Sequence, residues 1–386
     1  MLPALTAEEA RHSRALTALI AAQVAAAGGW LSFERFMELA LYAPGLGYYS
    51  AGAEKLGRGG DFVTAPETSD LFSRCVARQC AAVLQASGGG ILELGAGTGR
   101  MAAAVLGALA AEHALPDRYA ILEVSADLAE RQRAHLARLP PQLRERVVWL
   151  SELPPPGFRG VLLANEVADA LPCARFTCRG DAVHELGVAL DEKGALHEVA
   201  AAPGAALERA CTALFAQLPA PLPEGYVSEV CLRVEPWIAS LADTLGAGAL
   251  LLFDYGLPRR HYYHPQRTDG TLRCHFKQRV HDDPYINLGV QDITAWVDFT
   301  RVAEAALGAG LSVSGFATQA AFLLATGLEE EVAAATSDVE RARLAGEARR
   351  LIMPEEMGEA FKVMALTRDL QVPLAGFALQ DLRHLL

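Results

Sequence analysis

Acidic and amide side chains recur in this sequence where apolar runs stop. Ile91-Leu92-Glu93-Leu94 leads straight into Gly95-Ala96-Gly97-Thr98-Gly99, and Tyr119-Ala120-Ile121-Leu122 leads into Glu123. Val161-Leu162-Leu163-Ala164 leads into Asn165 and Glu166, with Asp169 just beyond. The glycines remove the Cβ atoms that would keep a nucleotide off the backbone. A dinucleotide site presents a helix N-terminus to a pyrophosphate, with glycines spaced G-x-G-x-x-G. The loop here reads G-A-G-T-G and lacks that spacing. A cofactor carrying an ammonium and a sulfonium, and no phosphate, is better served by a carboxylate near the loop, which Glu93 supplies. The loop therefore points to S-adenosyl-L-methionine, held at Gly95, Ala96, Gly97 and Gly99. Glu123 follows at roughly the 20-residue distance where ribose-binding acids sit, with two oxygens for the two ribose hydroxyls. An acid that merely ends a strand is the plain alternative.

Asn165, directly after an apolar strand, suits the amino or carboxylate end of such a donor. Glu166 and Asp169 are spaced to put two carboxylates on one side of a turn. Methyl transfer is an in-line displacement, so the enzyme mainly holds donor and acceptor collinear. A planar, cationic guanidinium is an acceptor that paired carboxylates can orient, and they can also take its proton. The competing reading is that Glu166 and Asp169 cap the following helix. Asp61 and Thr64, in a glycine-rich connector, either fold over the cofactor or form a surface turn. Asp254 either faces the site or braces a neighbouring loop. A hydrogen-bonded structural role is favoured for His275 and His281.

These residues need a parallel α/β sheet behind them, because ligands of open sheets bind at the carboxyl ends of the strands. Short apolar runs alternating with helical patterns predict strands at 90–95, 119–124, 147–150, 160–165 and 248–254. Helices are expected over 4–28, 68–86 and 100–111, and a last antiparallel pair near 312–317 and 361–367. Residues 175–200 alternate as hairpin strands do, turning at Asp191-Glu192-Lys193-Gly194. Residues 256–298 are rich in Tyr, His, Arg and Asp and show few signs of regular structure; such insertions usually frame a site.

The chain has 386 residues, 52% of them hydrophobic, which is enough for one large domain with insertions or for two. A net charge of −12 argues against nucleic acid as a partner and fits a basic substrate. Seven scattered cysteines form neither a C-x-x-C pair nor a metal-like cluster, so no metal site is expected. Cys75, Cys80, Cys173 and Cys178 read as small buried hydrophobes, and an odd count without a framework points to a reducing compartment. Glu8, Glu9 and Arg11 interrupt any apolar N-terminal run, and no apolar run reaches membrane-spanning length. The expectation is a soluble cytoplasmic protein with no membrane association.

Several longer segments carry a family likeness. They are Pro44-Gly45-Leu46-Gly47-Tyr48-Tyr49, Gly60-Asp61-Phe62-Val63-Thr64-Ala65-Pro66-Glu67, Leu92 to Gly99, and Asn165-Glu166 through Asp169-Ala170-Leu171-Pro172. Phe253-Asp254-Tyr255-Gly256, Gly270-Thr271-Leu272-Arg273, Val297-Asp298-Phe299 and Met357-Gly358-Glu359-Ala360-Phe361-Lys362-Val363 continue it. In this order they resemble the MidA-type S-adenosylmethionine-dependent methyltransferases, relatives of the mitochondrial protein arginine methyltransferase that assists assembly of respiratory complex I. The resemblance implies a class I, Rossmann-like methyltransferase core over residues 87–386, with a mostly parallel sheet and an antiparallel C-terminal strand. It also implies an N-terminal helical extension with the connector over 1–86, and substrate-facing insertions at about 175–225 and 256–298. Donor contacts would fall on Gly95, Ala96, Gly97, Glu123 and Asn165, and on Asp61 and Phe62. The chain departs from the family pattern at Val167-Ala168, where aromatic residues are usual. It departs again at Gln291, and at Trp296, where an acid is usual. The expected activity is methyl transfer to a protein arginine, with a respiratory-complex subunit as one candidate substrate. Transfer to a small molecule or another protein side chain, and a non-catalytic assembly chaperone binding its client through 256–298, are the alternatives.

Overall fold

In the computed structural model, residues 2–51, 64–180 and 182–386 are described. They divide into two compact units. The first is drawn from residues 1–62, 169–234 and 259–296, and the second from 63–168, 235–258 and 297–386.

The second unit is built on an eight-stranded sheet, whose strands are β1 (Gly90–Leu94), β2 (Tyr119–Leu122), β3 (Val147–Leu150), β4 (Phe158–Asn165), β5 (Leu245–Leu257), β6 (Val297–Asp298), β7 (Ser312–Thr318) and β8 (Phe361–Arg368). The order is β3-β2-β1-β4-β5-β8-β7, with β6 pairing alongside β5. β1 to β5 are mutually parallel, the doubly wound order in which the strand sequence reverses at β1 and β4. β8 runs antiparallel to both β5 and β7, as the sequence led us to expect of the last pair. Strands buried on both faces read as continuous apolar runs. Ile91, Val161, Leu163 and Leu251 share one core with Phe72 and Val76 of α1 (Asp70–Ser87) and Val105 and Leu109 of α2 (Arg100–Ala111). Leu92, Leu162 and Leu250, on the alternate positions, are fully buried too.

At the amino ends of three adjacent strands, Gly90, Gly160 and Gly248 lie in register. A Cβ on Gly160 would run into the Gly90 carbonyl, and one on Gly248 into that of Gly160. The side-chain-free row lets the backbones approach there.

The first unit contains helix Ala7–Ala26, whose N-terminus is closed by a reciprocal Thr6–Glu9 capping box. Helix Phe33–Tyr42 packs with it around Leu16, Ile20, Phe36 and Met37. Strands Leu31–Ser32, Ala174–Arg179, Ala182–Leu190, Leu196–Ala201 and Val227–Val230 form a five-stranded sheet. The Asp191–Gly194 turn stands where the alternation placed it. The irregular insertion expected at 256–298 is corrected: Arg279–His281, Arg273–Phe276 and Asp292–Thr294 form a three-stranded antiparallel sheet. Its hairpin turns through Lys277 and Gln278, both at positive φ (48° and 60°). That is primed-turn geometry in residues that carry no Asn-Gly signal, so no local pattern marked it.

Candidate functional site

The glycine loop leaves β1 and opens α2, within the second unit. Gly95, Gly97 and Gly99 adopt φ of 63°, 53° and 81°, conformations that side chains make costly. The Gly95 N–H bonds the Leu122 carbonyl (3.0 Å), and the Gly99 N–H bonds that of Ala96 (2.8 Å). A Cβ at Gly95 would meet only Val167 Cγ2, at 3.6 Å, so the protein's own atoms leave room there. The loop is pinned from helix Ala65–Thr68: Thr98 Oγ1 donates to Glu67 Oε1, and Arg100 bonds the Glu67 carbonyl (3.0 Å) and Asp70 (3.0 Å).

Glu123 stands one residue past β2 rather than inside a strand reaching 124. Its Oε1 accepts the Ser125 N–H (2.9 Å) at the start of α3 (Ala126–Leu136), and its Oε2 accepts Gln132 Nε2 (2.8 Å). The Val124 N–H bonds this carboxylate as well, and its four lone-pair sites still leave capacity for a ligand hydroxyl. Burial pushes the Glu123 carboxyl above its ordinary range. The sequence reading missed Gln132, which is fully buried. Gln132 Nε2 also donates to the Gly97 carbonyl (3.0 Å), and its Oε1 accepts Trp149 Nε1 (3.0 Å). One amide thus ties the acid after β2 to the glycine loop and to β3. Beside Glu123, Val124 is 80% exposed, an apolar surface against an acid at the carboxyl edge of the sheet.

Glu93 is 3% exposed, and its Oε2 accepts the Tyr119 hydroxyl (2.8 Å). Burial, with the nearby charge of Glu123, raises its pKa from the ordinary 4.5 to about 7 against the lowering Tyr119 bond.

At the end of β4, Glu166 has φ 52°, a left-handed conformation uncommon outside glycine. Its N–H bonds the Phe253 carbonyl (2.8 Å). Asn165 Nδ2 donates to Glu166 Oε1 (3.1 Å), while its buried Oδ1 has no hydrogen-bond partner among the described residues. Asp254 braces this turn: Oδ2 accepts the Ala168 N–H (3.0 Å) and Oδ1 that of Tyr255 (2.9 Å). Asp298 caps α4 (Phe299–Gly308) by accepting the Thr300 and Arg301 N–H groups.

Asp169 belongs to the first unit, so Glu166 and Asp169 are assigned to different units. In the first unit, Tyr42 and Tyr49 stack at 5.5 Å. Tyr42 donates to the Ala170 carbonyl (2.9 Å), and Tyr49 donates to Asp292 Oδ2 (3.1 Å). Burial and the carboxylates of Asp292 and Asp169 push both phenols up. His275 lies in the small sheet, where burial, His281 and Arg273 lower its pKa to about 4. Asp61 and Phe62 lie outside the described residues.

Residues 75–317 match the family model described as "Putative S-adenosyl-L-methionine-dependent methyltransferase". The crystal structure of a Burkholderia thailandensis protein bound to S-adenosyl-homocysteine is 42% identical, with a TM-score of 0.94 and 100% of both chains covered. The chain belongs to this family of S-adenosylmethionine-dependent methyltransferases. Curated relatives include "Protein arginine methyltransferase NDUFAF7, mitochondrial" of Danio rerio, 27% identical over 91% of this chain and 89% of that one. The Drosophila melanogaster homologue is 29% identical over 91% and 86%. The methyltransferase core expected from the resemblance is therefore present, and the donor is S-adenosyl-L-methionine. A cytoplasmic location is not upheld, since these curated relatives are mitochondrial proteins. Composition and cysteine usage do not distinguish two reducing compartments, which is why the sequence reading erred. No helix among the described residues is long and apolar enough to cross a membrane.

The residues of this methyltransferase suit its donor. The loop at Gly95 has room, Glu123 keeps lone pairs, and the orphaned Asn165 Oδ1 needs a donor group such as an ammonium.

Proposed function

We propose that this methyltransferase modifies a guanidinium nitrogen of a protein arginine. The supporting observation is likeness, over about nine-tenths of the chain, to relatives named as protein arginine methyltransferases. When bound, the donor supplies an electrophilic methyl on a sulfonium. Gly95, Ala96, Gly97 and Gly99 give it a bare backbone to lie against. Glu123 accepts from the ribose hydroxyls, with Gln132 holding that carboxylate in place. Val124, exposed beside Glu123, would offer the adenine an apolar contact, and Asn165 would accept from the ammonium. Glu93 acts from beneath, by bracing Tyr119 and the start of the loop. For Asp61 and Phe62 we keep the donor contact that the family resemblance implies.

We assign Glu166 and Asp169 to the acceptor, each as a carboxylate able to orient a guanidinium or take its proton. The strained backbone at Glu166 supports this, because such conformations persist where function needs a side chain held in place. The partner is then a protein with an accessible arginine, and a respiratory-complex subunit is the first candidate to try. Glu166→Gln keeps the size and loses the charge. It should leave S-adenosylhomocysteine affinity within about twofold and lower kcat by the 10²–10⁴-fold typical of a lost proton acceptor. Equal turnover would move the acceptor role elsewhere. The arginine assignment is tested with radiolabelled S-adenosylmethionine and mitochondrial extract, followed by acid hydrolysis. Label is expected in methylarginine; label confined to small molecules or to methyllysine would overturn it.

A further inference from the structure

Within the first unit, His261, His264, residues 266–270 and Arg273 line a cavity of about 450 Å³ that the methyl-transfer reading does not use. Although the chain carries a net charge of −12, this lining brings together Arg267, Arg273, His261 and His264 against the single carboxylate of Asp269. Arg267 is half-buried, its guanidinium 5.3 Å from the centre of the Trp296 ring. Its buried Nε has no hydrogen-bond partner, and among the described residues no carboxylate pairs with it, Asp269 included. Arg273 meets Asp282 at 3.3 Å, but that acid is 79% exposed, so the pair holds the arginine weakly.

A guanidinium drawn partly out of water is costly to leave without an anion. The indole face supplies part of the compensation. A guanidinium's planar fork of N–H donors suits a bidentate oxygen acceptor. Trp296 thus puts an aromatic ring, and no neutralising carboxylate, beneath this arginine.

We propose that this cavity binds an oxyanion, a carboxylate or phosphate group, with Arg267 as the bidentate anchor and Arg273 as the second cation. The group arrives either as a free ion or on an acidic side chain of a bound protein. Isothermal titration of the full chain with inorganic phosphate and, separately, with a glutamate-rich hexapeptide tests this, with sodium chloride at matched ionic strength as the blank. Saturable phosphate binding alone would identify a free ion, and peptide binding at least tenfold tighter would identify a protein side chain. Arg267→Gln should weaken either by at least tenfold, and Arg267→Lys, which keeps charge without the fork, by less. Circular dichroism and S-adenosylhomocysteine binding report whether Arg267→Gln is folded; if it is not, Arg273→Gln carries the same test. Binding of neither probe, or an unchanged affinity in the folded variant, overturns the proposal.

Discussion

Glu93 shows how a single residue can be read rightly in type and differently in role. Its acidity next to the glycines pointed to a cationic cofactor, yet its carboxylate lies in the core on Tyr119. An acid whose folded-state pKa is raised binds protons more readily folded than unfolded. Its contribution is therefore complete below about pH 4.5 and is lost as pH rises through 7. Glu93→Gln, neutral throughout, should gain up to about 3 kcal/mol on the wild type above pH 8, with the gap closing towards pH 5. Urea melts across that range measure it, and parallel curves would show that Glu93 does not carry the burden. Gly95 allows a complementary test of the donor loop. The protein leaves room for a methyl there, and φ of 63° adds strain of about 1 kcal/mol for alanine. Gly95→Ala should thus fold with a modest loss of stability while S-adenosylhomocysteine affinity falls at least tenfold; full affinity would remove the loop from the donor site. The same strain makes a branched residue at Gly97 (φ 53°) a poorer probe, since it would disturb the fold as well.

Among the elements, α3 does work that no motif announced. Gln132 sits two turns into it and reaches Glu123, the Gly97 carbonyl and the Trp149 indole. Gln132→Ala would strand those buried partners, at a cost of about 1–3 kcal/mol. It should also weaken S-adenosylhomocysteine binding by an order of magnitude through Glu123. Calorimetry and thermal melts read both, and a stability loss with unchanged affinity would limit Gln132 to a structural role. Nothing in the one-dimensional pattern separates this glutamine from an ordinary helix-surface residue. Its importance comes from the parallel register of β1, β2 and β3, which brings residues 97, 123 and 149 within reach of one side chain. The strands themselves were easy to read, because burial on both faces demands unbroken apolar runs. The 273–281 hairpin was not, because its turn uses Lys277 and Gln278 where Asn-Gly would have been legible.

For the whole molecule, donor binding should be visible as stability. A ligand that binds only the folded chain adds about 2.7 kcal/mol at a hundred times its Kd. S-adenosylhomocysteine should accordingly raise Tm by several degrees in a concentration-dependent way, and a flat response would contradict the family's cofactor in this chain. The positions of the strands along the chain, the bare loop after β1 and the acid after β2 were all set by local composition. Apolar runs and glycines act over a few residues, and the resemblance in motif order supplied the rest of the core. Only the tertiary structure decided which side chains meet: Asp254 with the Ala168 amide, Glu93 with Tyr119, and Arg267 with Trp296. It also decided that residues 1–62, 169–234 and 259–296 make one unit. Such pairings join residues 26 to 86 positions apart, and no local periodicity encodes which distant partner a buried polar group will find.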